Sequence, residues 1–371
     1  MDKQELLSLI ALQHIPGVGS ITAKRLLEGV GSATQIFECR TQLPAIIPNV
    51  QPTLIKALDC PEAHQRAEKE LAFIEKHRIT CIGYHDDEYP YRLRECDDAP
   101  ALLFYRGNTA LNSRRIVSIV GTRKCTDYGR DLCESFVRDL AAQCPDILIV
   151  SGLAYGIDVC AHRASIKFGL PTVGVLAHGL DRIYPSVHRN IAAQMVECGG
   201  LLTEYVSHTE PERTNFLQRN RIVAGMADAT IVIESAAKGG ALVTANIANS
   251  YGRDCFAFPG RTNDAASAGC LRLIRNNQAA LITSADDFLE AMLWEASQKT
   301  KAVQRSLFPE LNEEESRIVA TLEQHIDGLP INTLALQTGL PVHRISATLF
   351  ELELRGIVRP LAGSVYKLNS L

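Results

Sequence analysis

The sequence predicts an α/β protein: a doubly wound, mainly parallel sheet with a helical cap before it and a winged helix after it. Three observations predict this. Between Arg115 and Ile282, short uninterrupted apolar runs alternate with glycine-bearing loops and helical segments, the pattern of parallel strands covered on both faces. Ahead of that region the apolar spacing is helical and is broken at Pro16-Gly17-Val18-Gly19. Behind it, a polar stretch separates three short helical patterns and a hairpin from the rest.

Bulk properties set the bounds. At 371 residues the chain can hold two or three domains. With 46% hydrophobic and 22% charged residues it has the composition of a soluble globular protein. No apolar run approaches a membrane span, and Met1–Ile10 lacks the basic start and apolar core of a signal peptide. The expected location is the cytoplasm, with no membrane partner. The 11 cysteines are scattered without a CxxC pair, so neither a zinc site nor a redox pair is indicated. Cys125, Cys160 and Cys255 read as small core residues. A net charge of −4 means that any phosphate-binding charge must be concentrated locally.

Residues 1–70 form the expected cap. Ile15-Pro16-Gly17-Val18-Gly19, followed by Ala23 and Leu26-Leu27, has the form of a helix-hairpin-helix. N–H groups at such a turn can hold a DNA phosphate without reading sequence; an ordinary αα-hairpin packed on the main domain has the same pattern. Its second repeat, around Leu43–Val50, is weak.

Residues 71–297 form the main domain. Ile79–Tyr84 and Leu102–Tyr105 read as strands joined through Tyr89-Pro90. Ile116–Val120, Ile147–Val150, Thr172–Leu176, Leu201–Glu204, Ala229–Ile233 and Cys255–Phe258 supply the sheet, with Ala280–Ile282 at an edge. Ligands of such sheets bind at the carboxyl ends of the strands, where the glycine-bearing loops fall. Residues 298–311 are polar and aperiodic, a linker. Residues 312–371 read as a winged helix-turn-helix: helices over Glu313–His325, Ile331–Thr338 and Val342–Arg355, then strands Ile357–Arg359 and Ser364–Leu368 joined across Ala362-Gly363. The expected recognition helix offers only His343, Arg344 and Arg355 as basic side chains beside Glu351 and Glu353, which favours a protein contact over DNA reading.

Four elements carry candidate chemistry. Gly121-Thr122-Arg123, directly after a strand, is a phosphate cradle with an arginine clamp, and Lys124 and Arg130 add charge. The alternative is an arginine paired with a structural carboxylate. GxGxxG spacing is absent, so no dinucleotide cofactor is expected. In Ser151–Asp158, Gly152 and Gly156 suit a tight turn with inward N–H groups. Asp158 reads either as a general base or as a helix-terminal charge, with His162 one turn on as its hydrogen-bond partner. No nucleophile is spaced to complete a catalytic device, so no catalytic residue is assigned. The third element, a polar loop leading into a helix, holds Phe216 and Arg219-Asn220-Arg221, the composition of a single-strand site. Arg219 and Arg221 cannot face the same way on a helix, which leaves a structural role open for one of them. Lys238-Gly239-Gly240 opens a helix near Ala241, where backbone N–H groups can meet an anion; a close-packed helix start is the other reading.

These stretches together resemble the DNA-processing protein A (DprA/Smf) family. The matching residues are Ile119–Arg123, Ser151–Asp158, Gly179-Leu180-Asp181 with Tyr184-Pro185, Arg219–Gly225, and Gly239-Gly240 with Thr244-Ala245. The resemblance covers nearly the whole chain. It implies an extended Rossmann-like fold with a helix-hairpin-helix (SAM-like) cap. It also implies a non-catalytic protein without cofactor or metal that binds and protects single-stranded DNA, dimerises, and helps load the RecA recombinase in natural transformation and recombination. By the same resemblance Arg123 clamps a phosphate, Lys238 or the Arg219/Arg221 pair lines the pocket, and Phe216 contacts a base. The expected nucleic-acid-binding set is Gly121, Thr122, Arg123, Ser151, Gly152, Gly156, Phe216, Arg219, Asn220, Arg221, Lys238, Gly239 and Gly240. The chain departs from the family pattern at Leu217-Gln218, where a proline is expected, and at Gly269-Cys270-Leu271, which replaces a Gly-Thr-Asn after Pro259-Gly260. A reading of another class competes: a hydrolase of nucleoside monophosphates using Glu234 at a strand end and Asp158 in the facing loop.

Overall fold

The apolar runs of residues 80–282 become strands β1 (Thr80–Gly83), β2 (Leu102–Gly107), β3 (Ile116–Val120), β4 (Leu148–Ser151), β5 (Thr172–Val175), β6 (Gly199–Thr203), β7 (Ala229–Val232), β8 (Asp254–Ala257) and β9 (Ala280–Leu281). The computed structural model describes residues 1–295, 311–325, 328–361 and 364–369. It divides the chain into two units, Met1–Ser297 and Gln298–Leu371. The linker expected at 298–311 lies outside the described residues apart from Leu311, as does the wing turn Ala362-Gly363.

The sheet of the first unit runs in the order β1-β2-β6-β5-β4-β3-β7-β8-β9. Only the β1–β2 and β2–β6 pairs are antiparallel, as expected for a mainly parallel sheet. From β3 the chain builds outward through β4, β5 and β6 on one side and through β7, β8 and β9 on the other. Strand order therefore reverses beside β3, and a crevice opens there at the carboxyl ends.

Helices α1 (Lys3–Gln13), α2 (Ser20–Val30) and α3 (Pro61–His77) belong to the cap. The crossovers are α4 (Asp127–Gln143), α5 (Ile157–Lys167), α6 (Arg189–Cys198), α7 (Arg213–Gly225) and α8 (Gly240–Ser250), followed by α9 (Ala268–Arg275) and α10 (Ala285–Ala291). Alternation along the strands gives the sheet two cores. Val117, Ile119, Ile149 and Ile231 pack with Phe136 of α4, Ala161 of α5 and Phe288 of α10. Ile116, Val120, Val150 and Val232 join the opposite core, which also holds Leu9, Ile10, Leu26 and Leu27 of the cap. The cap is thus part of the layer on one face of the sheet, and the boundary expected after residue 70 falls inside α3.

Polar contacts reinforce this seam. Glu70 of α3 is buried and accepts hydrogen bonds from Ser207 N (2.8 Å) and Ser207 Oγ (2.5 Å), while Arg66 donates to both Glu70 and Ser207 O. The helix after the hairpin turn meets the main domain as well: Ser20, at the start of α2, accepts from Arg221 at 2.8 Å. The helices of this hairpin pack on the main domain, while Pro16, Gly17 and Gly19 of its turn are exposed.

The second unit holds α11 (Glu313–Glu323), α12 (Ile331–Thr338) and α13 (Val342–Leu354), with β10 (Leu329–Pro330), β11 (Val358–Leu361) and β12 (Val365–Leu368). Ile318, Leu322, Leu334, Ile345, Leu349 and Leu352 form its core. Both arginines of the expected recognition helix are tied to α11, Arg344 to Glu314 and Arg355 to Glu315. Phe350 and Leu354 on the same helix are exposed. Among the described residues no helix is long and apolar enough to cross a membrane.

Candidate nucleic-acid interface

A cleft of about 810 Å³ opens at the carboxyl ends of β3, β4 and β7, with α7 and α8 as its walls. Its floor is built by two interlocked loops. Thr122, after β3, donates from its N–H to Glu234 O (2.7 Å) and accepts from Ile157 N of α5 (3.2 Å). Gly156 makes that seat fit. Its φ is +78°, and a Cβ there would lie 2.1 Å from Thr122 O, so a side chain would meet both strain and a clash. The loop fixed in this way carries Arg123 into the cleft.

Arg123 is exposed and has no ion pair among the described residues. Its guanidinium sits 5.1 Å from the centroid of the Phe216 ring. Of the two readings open for Arg123, pairing with a structural carboxylate is therefore not what is found. Phe216 is half-buried on the first turns of α7, with Tyr184 5.9 Å away between centroids. The stretch expected as a polar loop is helical, because α7 begins at Arg213. Leu217, at the position of the missing proline, is an exposed residue of that helix and lines the cleft.

Arg219 lies beneath the surface. It is 3% exposed, donates to Val175 O at 2.7 Å and leaves its Nε without a partner. Only a glycine at 152 leaves room for it, since a Cβ there would lie 1.8 Å from Arg219 Nη1. Burial raises the Asp158 carboxyl above its usual range, and the Arg219 guanidinium opposes the shift. Asp158 accepts from the backbone N–H of Ala154 at 3.4 Å and so caps its own loop. It is not bonded to His162 as expected; His162 is buried against Thr172 Oγ1 (2.7 Å). Burial, with Arg219 and His188 nearby, pushes the His162 ring down to about 3, so the ring is neutral.

Lys238, Gly239 and Gly240 close the opposite wall. Lys238 is exposed and has no ion pair among the described residues. No side chain caps the start of α8, and the space before the two glycines is open: the nearest atom to a Cβ is Ser235 Oγ at 3.4 Å for Gly239 and Asn220 Nδ2 at 3.9 Å for Gly240. Free N–H groups at a helix start attract an anion. Asn220 of α7 lines the cleft beside Gly240.

Three expected residues lie elsewhere. Arg221 is one helical step too far round α7: it is buried on the cap side, paired with Glu204 and within 3.9 Å of Asp98. Ser151 is fully buried and donates from Oγ to Ile119 O at 2.6 Å, which stitches β4 to β3. Glu234 points away from the cleft, accepting from Thr126 N (2.9 Å) and Thr126 Oγ1 (2.6 Å) at the start of α4. The hydrolase reading therefore lacks its second carboxylate. Glu234→Ala should destabilise the fold by roughly 2–4 kcal/mol, because a buried charge-assisted pair of bonds is lost; a lower urea midpoint checks this. The Gly269-Cys270-Leu271 departure opens α9, with Gly269 N donating to Ser235 O (2.7 Å), outside the cleft. The sequence reading missed Arg213 and Tyr184, both in the cleft wall. Tyr184 carried a signal, an aromatic in the loop after β5; Arg213, two residues after Pro211, carried none.

The family model for DNA recombination-mediator protein A matches residues 80–293. Smf of Escherichia coli K12 is 32% identical over 306 residues, which are 81% of this chain and 81% of Smf. The chain belongs to the DprA/Smf family. Its end matches the DprA winged helix domain over residues 304–364. The X-ray structure of DprA from Streptococcus pneumoniae superposes with a TM-score of 0.63 at 30% identity, covering 78% of this chain and 98% of that one. DprA of Helicobacter pylori, solved for its single-stranded DNA binding mode, gives 0.53 at 28% identity over 58% of this chain and 96% of that one. The fold expected for a DprA/Smf chain is thus the fold found.

Proposed function

We propose that this DprA/Smf chain binds single-stranded DNA along the cleft, protects it and, as a homodimer, passes it to the RecA recombinase in DNA uptake and recombination, without catalysing a reaction on it. The observation that carries this reading is the grouping of Arg123, Lys238 and Arg213, none of them ion-paired among the described residues, around Phe216 and Tyr184. Cations grouped in one cleft suit a phosphate backbone, and the rings offer faces on which unpaired bases stack. A duplex keeps its bases inside the stack and cannot use the rings. With a net charge of −4, attraction for phosphate depends on local groupings of cations such as this one. The H. pylori relative's single-stranded DNA binding mode supports the ligand class, and the recombination-mediator family supports the recombinase partner. The winged helix fits a protein contact, since its arginines are engaged and Phe350 and Leu354 are exposed. A cytoplasmic setting follows from the same reading.

Fluorescence anisotropy with single-stranded and duplex oligonucleotides across a salt series tests it. The expected result is a single-strand preference and an affinity that falls linearly in log–log form with salt, as counterions are released. Equal, weak binding of both forms would overturn the reading. In the same assay Phe216→Ala should lose roughly 1–3 kcal/mol, the worth of one stacked base.

A further inference from the structure

A second cavity, of about 440 Å³, lies in the seam between the cap and the main domain, where Arg66, Lys69 and Phe73 of α3 face Ser207 and His208 of the loop after β6. No aspartate or glutamate lines it. Lys69 is exposed and has no ion pair among the described residues. Arg66 is held still at the wall, paired with the buried Glu70 (3.0 Å) and donating to Ser207 O (2.7 Å). Phe73 is half-buried, with the His77 ring 4.5 Å away between centroids. His208 is the exposed tip of a strained turn. Its φ is +62°, and the turn is locked by Thr209 Oγ1 donating to Val206 O (2.8 Å) and by His208 N donating to Asp181 Oδ1 (3.0 Å). Strain of this kind persists only where the fold over-determines it, and it gathers at ligand sites.

The cavity lies on the same carboxyl edge of the sheet as the cleft, beyond the end of β6. The loop after β5 joins the two. Asp181 holds the His208 turn at one end of that loop, and Tyr184 stands against Phe216 in the cleft at the other. The chain itself also runs from one to the other: Thr209 lines the cavity, Pro211 and Arg213 the cleft. His208 and Arg213 are therefore at most about 18 Å apart along extended backbone. The two carboxylates on the way, Asp181 and Glu210, are both tied to Arg182. We propose that this cavity is a second footing for the single strand. A nucleotide beyond those in the cleft sets its phosphate against Lys69 and His208, with its base against Phe73, the pairing of cation and ring that unpaired nucleic acid needs. The cap then supplies one wall of the strand's path. The inference rests on the reading of the cleft as a single-strand site.

The test measures anisotropy of the full-length chain with oligothymidylates of roughly 4 to 16 nucleotides, the range of single-strand site sizes. Wild-type affinity should rise about tenfold, the size of one charge-assisted contact, at the length that first reaches from the cleft to the seam. Above that length the salt slope should steepen by about one phosphate's share. Lys69→Glu should abolish both the rise and the added slope. His208→Gly should reduce the rise while keeping the turn, because glycine adopts this φ without strain. Short oligonucleotides should bind both variants as they bind the wild type, and neither urea midpoint should fall. Affinity that does not rise with length, a rise that survives Lys69→Glu, or an equal loss in that variant at every length would overturn the proposal. Arg123→Ala separates the two sites, since it should weaken every length. If it leaves short oligonucleotides unaffected while Lys69→Glu weakens the long ones, the reading of the cleft falls and the seam stands as the strand's site. If the wild type binds no single strand at any length, both fall.

Discussion

Replacing Arg123 by alanine is expected to weaken single-stranded DNA binding by about 10- to 140-fold, the equivalent of roughly 1.5–3 kcal/mol for a charge-assisted contact. The effect should be confined to binding. Arg123 is exposed, without an ion pair among the described residues, and its guanidinium rests against the Phe216 ring. The buried Asp158 carboxylate, on which its charge also acts, keeps the larger influence of Arg219 when Arg123 is removed. The urea midpoint should therefore move by no more than about 0.5 kcal/mol, as for other surface substitutions. The salt slope should become shallower by about one phosphate's share. Near-normal affinity in this variant would remove Arg123 from the site.

Gly156→Ala is expected to have the larger effect on the fold and a second effect on binding. The position has φ +78°, and the added Cβ would meet Thr122 O at 2.1 Å and the Arg123 backbone at 2.7 Å. The backbone strain costs about 1 kcal/mol and the overpacking a further 1–3 kcal/mol or so, a loss of roughly 2–4 kcal/mol together. Both atoms it meets are backbone, so relief comes only from lifting the loop that holds Arg123. Binding of single strands should weaken even where the variant is fully folded. Gly169→Ala is the matched control: φ is +76° but nothing lies within 4 Å of its Cβ. It should lose only the strain, about 1 kcal/mol, and bind DNA normally. Equal behaviour of the two variants in urea unfolding and anisotropy would contradict the loop-on-helix account.

How far the sequence carried can be judged at particular residues. The strands were legible because each is a short apolar run bounded by glycine-bearing loops, and both faces of the sheet are covered. The cleft was legible as a place, since Gly121–Arg123, Gly152 and Lys238–Gly240 follow strands that share one edge. The directions of individual side chains were not. Phe216–Asn220 reads as a polar loop because its helix begins without an apolar stripe: Phe216 and Asn220 line the cleft, and the positions that turn inward, on different sides, are held by Arg219 and Arg221 in place of apolar residues. Helical spacing did require those arginines to part, and the structure decides which one turns inward to Glu204. The slot for Arg219 depends on Gly152, a contact across the fold that no local pattern encodes. Glu234 sits at a strand end as a catalytic carboxylate would, yet its hydrogen bonds run to Thr126 on the far side of the loop. The cap's apolar spacing announced helices but not their union with the sheet core.

The central claim is that a single strand lies between the β3 loop and α7. Photocrosslinking with oligonucleotides carrying 5-iododeoxyuridine, followed by peptide mapping of the adducts, tests it most directly. Adducts on Phe216 or Tyr184, suppressed by unlabelled single strands and not by duplex, are the expected result. Adducts confined to the cap hairpin or to the winged helix would contradict the claim.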